Sequence, residues 1–131
     1  MAAALPEVTD LNRFFWTSGA DGRLRVLRCG GCGLWLHPPG PVCPRCLGRD
    51  LAPQVVSGVA TVEAVTVNHQ AWTPDLKVPY AIARVSLAED PSIRLTTRIV
   101  GVAADAVAIG RRVKVRFEKR DEVHLPFFEP A

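Results

Sequence analysis

The sequence predicts a mainly β protein: a short N-terminal helix, a small four-cysteine metal ribbon, then a five-stranded barrel with a C-terminal tail. Three observations carry this. All four cysteines, Cys29, Cys32, Cys43 and Cys46, fall in two C-x-x-C pairs. From Val55 onward the chain is rich in valine and threonine and alternates apolar with polar residues, the period of half-buried strands. A segment suited to one helical turn interrupts those strands after the third, which is the order of an OB-fold.

Residues 7–18 read as the helix. Asp10 suits its N-cap, and Leu11, Phe14 and Phe15 share one face at i, i+3 and i+4. Gly19 suits a left-handed close, and Ala20-Asp21-Gly22 reads as a turn. Arg23 to Arg28 alternates as a strand running into the first cysteine pair. Leu34-Trp35-Leu36 leaves that pair, and Pro38-Pro39-Gly40-Pro41 turns the chain toward the second. Strand, knuckle, strand, loop and knuckle make a zinc ribbon. Glycines around the first pair let backbone approach a metal closely, and Pro44 stiffens the second. The stretch 47–54, with Gly48 and Pro53, reads as a linker.

The barrel follows. Val55 to Val67 is a long strand bent at Gly58, 68–79 a loop, and Tyr80 to Leu87 a second strand. In the third, Ile93, Leu95, Thr97 and Ile99 share one face and Arg94, Thr96 and Arg98 the other. Asp105 to Ile109 suits one helical turn. Val113, Val115 and Phe117 alternate with Lys114, Arg116 and Glu118 in a fourth strand, Glu122 to Leu125 suits a fifth, and Pro126 to Ala131 reads as an apolar tail. The divisions are therefore 1–22 for the helix, 23–50 for the ribbon and 51–131 for the barrel and tail.

Two paired thiols on each knuckle supply a closed tetrahedron of sulfur, the pattern of a structural Zn²⁺; the same spacing also accommodates a rubredoxin-type iron. Cys46-Leu47 lacks the glycine expected after the second knuckle of an iron site, which favours zinc. No apolar run approaches the ~20 residues needed to span a bilayer. Met1 to Leu5 is apolar without a basic region, so no signal peptide is read. Reduced, metal-bound thiols then point to the cytoplasm. A formal net charge of +3 is weak for counterion-driven binding of nucleic acid, although 13 of the 16 basic residues are arginine. Tyr80 is the one aromatic on the second and third barrel strands, a thin stacking platform. His37, His69 and His124 read as surface or turn residues. His69 shares a loop with Asp75, but every thiol is committed to metal, and no nucleophile motif or phosphate loop occurs. No catalytic residue is assigned. Phe14, Phe15 and Trp16 at one end and Phe127 and Phe128 at the other lie outside the expected strands and knuckles. Phe14, Phe15 and Trp16 are the candidate partner interface.

These residues together resemble a known family, the acyl-CoA-associated proteins that join a rubredoxin-like zinc ribbon to an OB-fold and were long catalogued as a domain of unknown function. The resemblance runs through Phe15-Trp16, Leu27-Arg28-Cys29, the knuckle to Gly33, Pro38-Pro39, Pro41 and Cys43-Pro44-Arg45-Cys46. It continues at Gly58, Thr61-Val62, Pro79-Tyr80, Ile109-Gly110 and Leu125-Pro126-x-Phe128-x-Pro130. Two positions depart: His37 stands where the family often has an aromatic, and Gly40 where it often has a basic residue. The resemblance implies a non-catalytic subunit of a hetero-oligomer, bound to a thiolase-superfamily enzyme or a thiolase-like aldolase and helping to form its acyl-CoA site. It also implies relatives fused to enoyl-CoA hydratases, a chain compatible with a domain from such a fusion, and one branch serving steroid side-chain degradation by retro-aldol cleavage. A nucleic-acid-binding ribbon and barrel is the alternative.

Overall fold

The structure, a computed structural model, describes residues 5–131; Met1 to Ala4, and with them most of the apolar start, lie outside the described residues. A three-stranded sheet comes first, from β1 (Arg25–Cys29), β2 (Trp35–Leu36) and β3 (Leu51–Val55), ordered β2-β1-β3. Five strands then close a barrel: β4 (Val59–Asn68), β5 (Tyr80–Leu87), β6 (Arg94–Ile99), β7 (Arg112–Arg120) and β8 (Val123–Pro130). Their order is β4-β5-β6-β8-β7, with a 3-10 turn at Ala104–Ala106 between the third and fourth. Alternation produces this: on β5 and β6 the odd-numbered residues are buried and the even-numbered ones face outward.

The helix is shorter than its periodicity predicts. α1 spans Arg13–Thr17 and passes into a 3-10 turn at Ser18–Asp21. The chain before it is held in a side-chain-stabilised turn: the Thr9 amide donates to Asn12 Oδ1 at 2.7 Å and the Asn12 amide to Thr9 Oγ1 at 3.3 Å. Asn12, not Asp10, therefore stands at the helix start. Gly22 rather than Gly19 takes the left-handed close, with φ 78°. Gly19 serves a different need. A Cβ there would lie 2.5 Å from the Phe117 ring and 2.7 Å from the His124 Cβ, so the turn sits directly on the β7–β8 hairpin.

Three expectations are corrected. The stretch read as a linker supplies β3, which pairs with all of β1 from Arg25↔Val55 to Cys29↔Leu51. Pro53 suggested a break, but β3 lies at the sheet edge, where a missing N–H is tolerated. The Val55 to Val67 run is consequently two strands, parted at Gly58, whose φ of 80° turns the chain into the barrel. The apolar tail, likewise, is most of β8, a strand that pairs with β7 from Val113↔Pro130 to Arg120↔Val123. β8 meets β6 in register only at Ile99↔Phe128, so Pro126 removes no donor that a neighbour required. Phe128 is fully buried in the barrel, and Thr97 Oγ1 donates to the Pro126 carbonyl at 2.8 Å.

Two hydrophobic clusters result. The larger fills the barrel and extends outward to Phe15, Leu24 and Val26. The smaller lies beneath the knuckles, around Leu27, Cys29, Leu36 and Cys43. Adjacent residues of β1 thus face different clusters, because strand side chains alternate. Among the described residues, no helix is long and apolar enough to cross a membrane. Gly19→Ala is expected to lower stability by about 1–3 kcal/mol through overpacking. Urea denaturation measures it, and an unchanged midpoint would contradict the close seating of the turn on β7 and β8.

Candidate metal centre and the barrel face beside it

The two knuckles repeat one hydrogen-bonded form. In the first, the Cys29 amide donates to the Leu34 carbonyl at 2.8 Å and the Gly33 amide to the Cys29 carbonyl at 2.9 Å. In the second, Cys43 donates to Gly48 and Leu47 to Cys43, each at 2.9 Å. Equivalent positions, Gly33 and Leu47, both have positive φ, 80° and 62°. Leucine there is strained by its Cβ, and its side chain is left 74% exposed. Leu47 carries no sequence signal for this geometry, which glycine usually supplies.

The folding of β1, β2 and β3 brings the four sulfurs together, all within 4.8 Å of one another. Cys29 Sγ lies 3.6 Å from Cys46 Sγ, and Cys32 Sγ 3.5 Å from Cys43 Sγ. A tetrahedron with Zn–S bonds of about 2.3 Å has edges of about 3.8 Å, so these residues fit the ion. The electrostatics agree. The Leu34 amide foremost, helped by Arg45, holds the Cys32 thiol down to about 6. The Arg45 guanidinium is anchored on the Cys32 carbonyl at 2.6 Å. The Gly48 amide draws the Cys46 thiol down, but the other three sulfurs together push it up to about 11. Four thiolates at this spacing need a cation among them. A bound dication with four protein sulfurs has no position left for water, so its chemistry would be structural.

Beside the ribbon, a cavity of about 300 Å³ lies where three parts of the chain meet. Phe15 and Trp16 come from α1, His37 and Pro38 from the ribbon loop, and Thr96 and Phe127 from the barrel. His37 is not the surface residue its position suggested. Its ring packs 4.9 Å from that of Phe15, and burial pushes its pKa down to about 4. Its Nδ1 is buried without a hydrogen-bond partner among the described residues. The candidate interface is divided: Phe15 belongs to the chain's own core, while Phe14 and Trp16 pack against that core half-buried. His69 is exposed in the loop before β5, and His124 is half-buried on β8.

The outward face of β5 and β6 adjoins this cavity. The Arg98 guanidinium lies 4.1 Å from the Tyr80 ring centroid and 5.8 Å from that of Phe127. Asn68 Nδ2 fixes Tyr80 by donating to its hydroxyl at 2.7 Å. The alternation of the third barrel strand placed Arg98 on this face. Phe127 escapes the sequence as its partner because it falls in Pro126 to Ala131, which reads as a tail beyond the fifth strand.

Residues 16–52 match the family described as "ChsH2, rubredoxin-like zinc ribbon domain", and residues 53–118 match "ChsH2, C-terminal OB-fold domain". The chain is similar to a "Probable enoyl-CoA hydratase alpha subunit" of Thermomonospora curvata, with 35% identity over 127 residues, 96% of this chain. It spans 39% of that relative's length. A solved "Ltp2-ChsH2(DUF35) aldolase" contains a chain with 34% identity and a TM-score of 0.88, covering 97% of this chain and 99% of that one. A DUF35-family protein of unknown function from Sulfolobus solfataricus, at 15% identity and TM-score 0.67 over 93% and 86% of the two chains, shares the fold.

Cys43→Ser is expected to lose the bound metal and to raise amide exchange through residues 29–48, while β4 to β8 stay protected; hydrogen exchange with metal analysis checks it. Equal loss of protection in the barrel would show that the knuckles are not a separable unit. The pH dependence of His37 has a definite sign. Its folded pKa lies below the ordinary 6.5, so its stabilising contribution is complete above 6.5 and falls as pH drops from 6.5 toward 4. Relative to His37→Phe, the wild type is expected to lose about 2 kcal/mol between pH 7 and pH 5 by urea denaturation. Parallel profiles would place His37 in solvent.

Proposed function

The chain belongs to the ChsH2 family, a rubredoxin-like zinc ribbon joined to a C-terminal OB-fold, and from that premise we propose that it is a non-catalytic accessory subunit of a thiolase-like enzyme acting on acyl-CoA thioesters. The observation that carries this is the near end-to-end likeness to the ChsH2(DUF35) part of an aldolase. One structural Zn²⁺ held by Cys29, Cys32, Cys43 and Cys46 fits the ribbon and commits every thiol of the chain. The chemistry then falls to the partner.

For a retro-aldolase the partner would break the Cα–Cβ bond of a β-hydroxyacyl-CoA. The β-hydroxyl loses its proton and becomes a carbonyl, and the α-carbon takes up a proton to leave a shorter acyl-CoA. Both products balance without an external oxidant or reductant. This chain would contribute position: α1 and the ribbon dock the enzyme through Phe14 and Trp16, and the barrel helps to form the acyl-CoA path. Steroid or lipid side-chain degradation and a cytoplasmic location complete the proposal.

Co-expression with a thiolase-like enzyme tests the reading. The expected result is a stable hetero-oligomer, no turnover of β-hydroxyacyl-CoA by this chain alone, and partner activity raised by about tenfold or more, some 1.4 kcal/mol of barrier. Equal activity of the partner with and without this chain would overturn it.

A further inference from the structure

The outward face of β5 and β6 carries arginines of two kinds. Arg94 is neutralised by Glu63 at 2.8 Å. Arg84 and Arg98 have no carboxylate partner among the described residues. The strand register sets Arg84 directly across from Thr96 and Ile82 across from Arg98. Arg84 and Arg98 are therefore diagonal neighbours, about 7–8 Å apart at the backbone, with the exposed Thr96 between them. Tyr80 and Phe127 flank the Arg98 guanidinium. Stacking occupies the faces of a guanidinium and leaves its in-plane N–H groups to meet a planar or tetrahedral oxyanion.

Two hollows meet on this face. The shallow one contains Tyr80, Ile82 and Arg98, the deeper one is the cavity at the α1–ribbon junction, and both are lined by Thr96, Thr97 and Phe127. The first is cationic and the second mostly apolar, with His37, whose Nδ1 has no partner among the described residues, in its lining. We propose that this face binds a phosphate-bearing amphiphile, with Arg84 and Arg98 gripping a phosphate above Thr96 and the junction cavity taking the apolar arm. The assignment rests on the accessory-subunit reading, and it names the residues that would meet the phosphate and the arm of a CoA thioester.

Titration calorimetry on the metal-loaded full chain tests it with octanoyl-CoA, CoA, octanoate and a single-stranded oligonucleotide. Octanoyl-CoA is expected to bind more tightly than CoA, and octanoate not to register. Arg84→Gln and Arg98→Gln should each weaken octanoyl-CoA binding by about tenfold or more. Arg84 is exposed, so its variant separates loss of the site from loss of the fold. Arg98→Lys keeps the charge without the planar fork and should not restore wild-type affinity. Failure of octanoyl-CoA to bind, unchanged affinity in both glutamine variants, or tighter binding of the oligonucleotide would overturn the proposal. Co-purification with the thiolase-like partner is scored separately. Assembly retained with octanoyl-CoA binding insensitive to both arginines defeats this site alone. Arginine-dependent binding without any assembly defeats the accessory reading alone.

Discussion

The alternation of one short strand governs how this chain is put together. β1 sends Val26 into the barrel core and Leu27 into the cluster beneath the knuckles. The same strand ends at Cys29, so a metal ligand is covalently continuous with residues buried on both sides. Phe15 closes the barrel-side cluster from above, and the Val56 amide, donating to the Leu24 carbonyl at 2.9 Å, carries the connection into the barrel. A one-residue slip of β1 against β3 would exchange the two buried sets and move Cys29 away from the other sulfurs. Register and metal geometry are therefore the same constraint seen at two ends of five residues.

Cysteine spacing made the metal centre legible, because four ligands in two short pairs leave few alternatives. The central barrel strands were equally legible, since each alternates cleanly between core and solvent. What escaped was decided by tertiary context. Pro53 and Pro126 look like breakers in sequence, yet each occupies a place where no partner needs its missing donor. Leu47 adopts a backbone conformation that composition alone assigns to glycine, because the second knuckle imposes it. Arg98 could be placed on an outward face, but its clamp needs Phe127, which is distant in sequence and brought near only when β8 closes the barrel.

The division of chemistry within the molecule follows from its residue types. The thiols are gathered around one point, and the three histidines are scattered over the ribbon loop, the loop before β5 and β8. The polar groups that remain concentrated are arginines and hydroxyls on the barrel face. Such groups hold and orient anions well. Such a surface suits the accessory role proposed above.

The join between ribbon and barrel has a mechanical meaning. Only Val56, Ser57 and Gly58 separate β3 from β4, and Val56 is buried while Gly58 is pressed against Val115. So brief and anchored a connection transmits torque instead of absorbing it. Any protein that grips the knuckles would swing the barrel as a stiff arm, and the aim of the arginine face would be set some distance from the grip.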